Sequence, residues 1–158
     1  MTQDAKFEDG REAPLNLGAF DVEDMKVISA LVQDAIFPMT ECVWQQDTRR
    51  FAMLLNRFRW EDDGRDRHGA ERVQSILTFE NVTQVTSQGV DRQDKDLVLS
   101  ILSLEWSPQD APSGYVELTL AGDGAIRLHL EALELGLRDV TRPYRAPSKQ
   151  TPSHPTQE

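Results

Sequence analysis

Phe51–Asp62, FAMLLNRFRWED, alternates at a period of two. Ala52, Leu54, Asn56, Phe58 and Trp60 fall on one side, and Phe51, Met53, Leu55, Arg57 and Arg59 on the other. Successive side chains of a β-strand point to opposite faces, so this spacing predicts a long strand. One of its faces turns from apolar to cationic along its length, which sets planar guanidinium groups beside rigid aromatic rings.

The same period extends outward from this strand. Glu41–Gln45 and Phe51–Trp60 bracket the polar run Gln46–Arg50, the pattern of a hairpin. Arg72–Glu80 alternates again, with Val73, Ser75, Leu77 and Phe79 on one face. Its phase slips at Asn81–Val85, as a bulge or sharp bend would require. Leu97–Trp106 is a third apolar segment whose first half, LVLSIL, fits a strand or a helical turn. Tyr115–Leu120 and Ala125–Leu130 flank Ala121–Gly124, AGDG, a short glycine-containing hairpin turn. Leu133, Leu135, Leu137 and Val140 then fit a bulged strand extension better than a short helix. Between these segments Glu61–Ala70 (EDDGRDRHGA), Gly89–Asp96 and Pro108–Gly114 read as polar loops.

One helix precedes the strands. Asp21 is placed to cap its first turn, Glu23 and Asp24 suit the positive end of its dipole, and Val22, Met25, Ile28, Leu31, Val32, Ala35 and Ile36 form one apolar stripe. Pro38 is expected to end it, giving a helix over 22–36. Short strands joined by hairpin turns argue against βαβ units. The expected architecture is therefore α+β: an N-terminal helix packed on a six- to seven-stranded, mainly antiparallel, curled sheet or partial barrel.

A chain of 158 residues is one domain by length. Residues 1–14 and the proline-rich 141–158 are poor in apolar side chains and are expected to be disordered, leaving 15–140 as a single folded domain. The net charge of −10 disfavours nucleic acid, and no apolar run is long enough to cross a membrane as a helix. The one cysteine, Cys42, excludes an intramolecular disulfide and suits a reducing compartment. With no basic and apolar leader at the N-terminus, a soluble cytoplasmic protein is expected.

No constellation for catalysis, a metal or a cofactor emerges. His68, His129 and His154 have no ligand spacing, and His129 belongs on a polar strand face between Arg127 and Glu131. Cys42 reads as a small buried hydrophobe, and no serine sits in a G-x-S-x-G elbow. Glu61, Asp62, Asp63 and Asp66 are acidic, but Arg65, Arg67 and Arg72 neutralise them locally. The arginines of Arg49–Arg72, with Phe51, Phe58 and Trp60 among them, form the strongest site candidate, because guanidinium planes beside aromatic rings grip anions and carboxylates. Arg57, Arg59, Trp60 and Arg72 are the expected contact residues. The competing expectation puts Arg57 and Arg59 on an exposed sheet face, opposite acids of neighbouring strands.

Four stretches carry a family resemblance: VISALVQDA, LLNRFRW, ILTFENVTQVTSQGVDR and LTLAGDGAIRLHLEALELGLRDV. With them the chain resembles a bacterial family of small uncharacterised proteins, known only as a domain of unknown function. The resemblance spans Val22–Val140 and implies a single cytoplasmic domain, with no activity or site residue attached. The expected function is a non-catalytic protein-binding or adaptor module, acting through a sheet face or an edge strand. The alternative is a small-molecule enzyme or carrier whose arginine-lined pocket holds an anionic ligand.

Overall fold

A computed structural model describes residues 14–61 and 71–144. Expectations for 1–13, for the acidic loop 62–70 with His68, and for 145–158 with His154 lie outside the described residues. The strands are β1 (Asn16–Ala19), β2 (Ile36–Pro38), β3 (Cys42–Gln45), β4 (Arg50–Phe58), β5 (Arg72–Phe79), β6 (Val82–Gln88), β7 (Val98–Pro108), β8 (Gly114–Leu120), β9 (Ala125–Leu130) and β10 (Leu135–Asp139). The helix α1 covers Val22–Leu31, and a single 3-10 turn covers Met39–Glu41.

Among the described residues ten strands, rather than six or seven, form one antiparallel sheet in the order β1-β10-β5-β4-β2-β7-β8-β9-β6, with β3 pairing beside β4. The strands beyond those expected are β1 with 4 residues and β2 with 3, too few to show a period in the sequence, and β6, which begins where the sequence shows only a slip of phase. The segment at Leu133–Val140 does contain a strand, β10, which pairs with β5 and β1. The phase slip after Asn81 is a register shift between Val82 and Gln84.

The sheet curls without closing. β5 and β6 stand far apart in the strand order, yet only Glu80 and Asn81 separate them. Asn81 turns this corner with a φ of 62°, a left-handed conformation that asparagine tolerates, and its side-chain amide donates to the Ala132 carbonyl at 3.2 Å. The corner lays β6 back over the end of the β3–β4 hairpin, where the Val82 N–H donates to the Arg49 carbonyl at 2.9 Å. Inward side chains from both arms then share one core, including Met53, Leu55, Leu77, Phe79, Ile101, Leu118 and Leu128.

α1 is shorter than its stripe. Asp21 caps it, with Oδ1 accepting from the Asp24 N–H at 2.9 Å, and Met25 and Ile28 are buried. It ends at Leu31 rather than at Pro38, because β7 captures the next residues. The Asp34 N–H donates to the Ile101 carbonyl at 2.8 Å, and the Ile101 N–H donates to the Ala35 carbonyl at 2.9 Å. Asp34 permits the break with a φ of 66°. Val32 and Ala35 are still buried, so the apolar pattern is satisfied by a helix end and a strand together. The resulting β2 bridges the arms: Ile36 pairs with Asn56 of β4 and with Ser100 of β7.

Candidate functional site

β4 separates two arginine clusters on opposite faces of the sheet. Its odd positions, Phe51, Met53, Leu55 and Arg57, point into the core, and its even positions point outward. Among the described residues Arg57 is the largest fully buried side chain. It is therefore not on an exposed face, and its partners explain why it can be buried.

All five Arg57 donors are used within the protein. Nε donates to Ser75 Oγ at 3.0 Å, and Nη1 donates to the Phe58 carbonyl at 3.3 Å and to Glu61 Oε1 at 2.9 Å. Nη2 donates to Glu61 Oε2 at 2.9 Å and to Asp139 Oδ1 at 3.0 Å. Ser75 in turn donates to Asp139 Oδ1 at 2.7 Å, and the Leu15 N–H donates to Asp139 Oδ2 at 2.9 Å. A buried charge is tolerated only when paired and hydrogen-bonded, and this network meets both conditions. Burial alone would pull the Arg57 pKa down, but Glu61 and Asp139 outweigh it and the net shift is upward. Burial likewise pushes the Glu61 carboxyl up, and the hydrogen bonds and charge of Arg57, with help from Arg59, bring it below its usual range. Arg59, also buried, pairs with Glu71 and with Glu61. Arg57 and Arg59 thus converge on Glu61 and tie the ends of β4, β5 and β10 together.

Trp60 and Arg72 gather instead around Phe58, on the outer face. The Phe58 and Trp60 rings meet edge to face, with centroids 4.7 Å apart, and Trp60 Nε1 donates to the Gln33 carbonyl at 2.9 Å. Arg72, opposite Phe58 in the register, places Cζ 5.8 Å from the Phe58 ring centroid. Its Nη1 reaches Asn56 Oδ1 at 3.2 Å, while the Asn56 amide donates to the Tyr144 hydroxyl at 2.8 Å. Tyr144 also bridges to Arg72 through the backbone, so the described fold continues past Val140. Burial lowers the Arg72 pKa, an effect that Tyr144 and Asp34 offset only in part.

From this corner an apolar band runs along the outer face. Consecutive outward positions of β4 pair with apolar neighbours: Ala52 with Val43 and Leu54 with Ile76. Asn56 pairs with Ile36, and beyond it Pro38 pairs with Val98. Val43 is 50% exposed, Val98 57% and Ile36 38%. The Arg50–Glu80 ion pair, at 3.0 Å, stands at the other end of the band.

The remaining candidates are placed as follows. His129 lies outward beside Tyr115, with ring centroids 5.6 Å apart, and lines a shallow concavity of about 180 Å³ with Thr83 and Glu131, while a separate one of about 260 Å³ includes Thr86, Glu117 and Arg127. Arg127 stacks on Tyr115 and pairs with Glu117 at 2.8 Å. Cys42 is half-buried against the core, and desolvation, with Glu41 adding to it, pushes its thiol up to about 12. A thiol so far from ionisation is a poor nucleophile at neutral pH. Among the described residues no group of three or more His, Cys, Asp or Glu is placed to hold a metal ion. No helix there is long and apolar enough to cross a membrane.

Sequence reasoning missed Ser75, Asp139 and Glu61 as the partners of Arg57, and Asn56 and Tyr144 as those of Arg72. The available signal was Ser75, a polar residue at a core-facing position of an alternating strand. Residues 15–154 match the family described as "Protein of unknown function (DUF2948)". The chain belongs to this family. The match covers every described strand and the helix, so DUF2948 corresponds to the curled sheet with α1 rather than to one arm of it. No curated protein and no solved structure matches the chain.

Proposed function

We propose that this DUF2948 domain is a non-catalytic protein-binding module that docks its partner on the outer face of β2, β3, β4 and β5 and the adjoining start of β7. The apolar band through Val43, Leu54, Ile76, Ile36 and Val98 is the observation that carries this reading. The inner face of the same strands already supplies the core, so the band contributes nothing to that packing. Contiguous apolar surface with a charged rim is the anatomy of an interaction site. Arg50 and Glu80 at one end and Arg72 at the other provide such a rim. The alternative, a pocket in which Arg57 holds an anionic small molecule, would require breaking bonds that occupy every donor of that side chain. A reducing, cytoplasmic setting fits a domain with one inert, half-buried thiol.

Photo-crosslinking in the native cell tests the proposal. A benzophenone side chain placed at Val43 or Val98 is expected to capture one discrete protein partner. The same probe at Thr86, on the outer face of the other arm, is expected not to. Equal labelling from all three positions, or none from any, overturns the docking face.

A further inference from the structure

We infer that the corner formed by Arg72, Phe58, Trp60, Asn56, Tyr144 and Ile36 receives an Asp or Glu carboxylate from the partner protein, flanked by apolar residues that lie on the band. The inference rests on the docking reading above and specifies its partner. Its basis is the contrast between the two arginine clusters. Arg57 spends every donor inside the protein, whereas Arg72 makes no ion pair among the described residues. Only its Nη1 finds an acceptor, at 3.2 Å to Asn56 Oδ1 and 3.4 Å to the Asn56 carbonyl, so Nε and Nη2 have no protein acceptor there.

A half-buried guanidinium has already lost part of its hydration, and a planar fork held against a ring is preorganised for a carboxylate. Asn56 and Tyr144 fix that fork from below, since Asn56 is itself held by the Tyr144 hydroxyl. Ile36, across Asn56 in the register, begins the apolar band. A ligand that satisfies both must be anionic at one point and apolar beside it, as an acidic residue within a hydrophobic segment is. Polyphosphate ligands fit poorly, because the chain carries a net charge of −10 and the corner offers one cation. The continuation of the chain beyond Tyr144, RAPSKQTPSHPTQE, contains no Leu, Ile, Val, Phe or Trp, and so lacks the apolar half of the match.

Selection of short random displayed peptides on the immobilised full-length chain, followed by fluorescence anisotropy with synthetic copies, tests the inference. Enriched peptides are expected to share an Asp or Glu next to aliphatic or aromatic residues. Replacing that acid by its amide, or introducing Arg72→Ala, should weaken binding by roughly tenfold to a hundredfold, the effect of losing a charged hydrogen-bonded pair. Arg72→Lys should fall between, since it keeps the charge and loses the fork. The amide exchange leaves the protein untouched, so it gives an answer even if Arg72 variants fold poorly. Peptides that lose affinity with Ile36→Lys but not with Arg72→Ala or the amide exchange would overturn the carboxylate and leave the docking face standing. No enrichment, or binding indifferent to Ile36→Lys and Val43→Lys alike, would overturn both. A dimer in sedimentation equilibrium that Val43→Lys dissociates would make a second copy the occupant, and would also overturn the inference.

Discussion

Arg57 shows how one side chain can be conspicuous in a sequence for a structural reason. It ends a strand face of Phe51, Met53 and Leu55, and continues that face into the core instead of leaving it. What makes this possible is Asp139, 82 residues later, with Ser75 between them. Arg57→Ala leaves Asp139 buried without its cation, and the expected cost in urea-unfolding free energy is about 3–5 kcal/mol. Ser75→Ala removes one buried donor and acceptor and should cost roughly 1–3 kcal/mol. Glu61 adds a pH signature. Its folded pKa lies below the ordinary value near 4.5, so its contribution is complete above that value and is lost as pH falls through the lower folded pKa. Stability should therefore fall more steeply below about pH 4.5 in the wild type than in Glu61→Gln, as read by urea midpoints across an acid series.

At the scale of elements, the long alternating strands were legible because period two needs several residues to declare itself. β4 and β5, with 9 and 8 residues, are unmistakable, whereas β2 with 3 is not. The helix was legible at its start, where Asp21 caps it, and not at its end, where a tertiary pairing with Ile101 overrides a continuing apolar stripe. Asp21→Ala is expected to cost about 1 kcal/mol of stability. The β8–β9 turn was legible from its residues: the register leaves Ala121–Asp123 as the loop, and Gly122 and Asp123 take left-handed φ values of 86° and 73°, which glycine adopts freely and aspartate tolerates. A Cβ at Gly122 meets no atom within 4 Å, so Gly122→Ala should destabilise through its backbone conformation alone, by roughly 1–3 kcal/mol in the same urea assay.

For the molecule as a whole, alternation assigned residues to two faces of β4 without saying which one the core would use. That choice follows from the curl of the sheet, through contacts such as Val82 with Arg49 that no local pattern encodes. Once it is made, the candidate residues divide: Arg57 and Arg59 hold strand ends together, while Trp60 and Arg72 flank an apolar band on the outside. The central claim is that this band serves binding rather than folding. Its most direct test is a paired measurement on the Val43→Lys, Val98→Lys double variant: urea-unfolding free energy, and partner capture from a benzophenone placed at Ile36, on the same band. Both replaced residues are at least half exposed, so stability should stay within about 1 kcal/mol of wild type while capture is lost. Capture that persists at the wild-type level, or that disappears only together with the folded state, would contradict it.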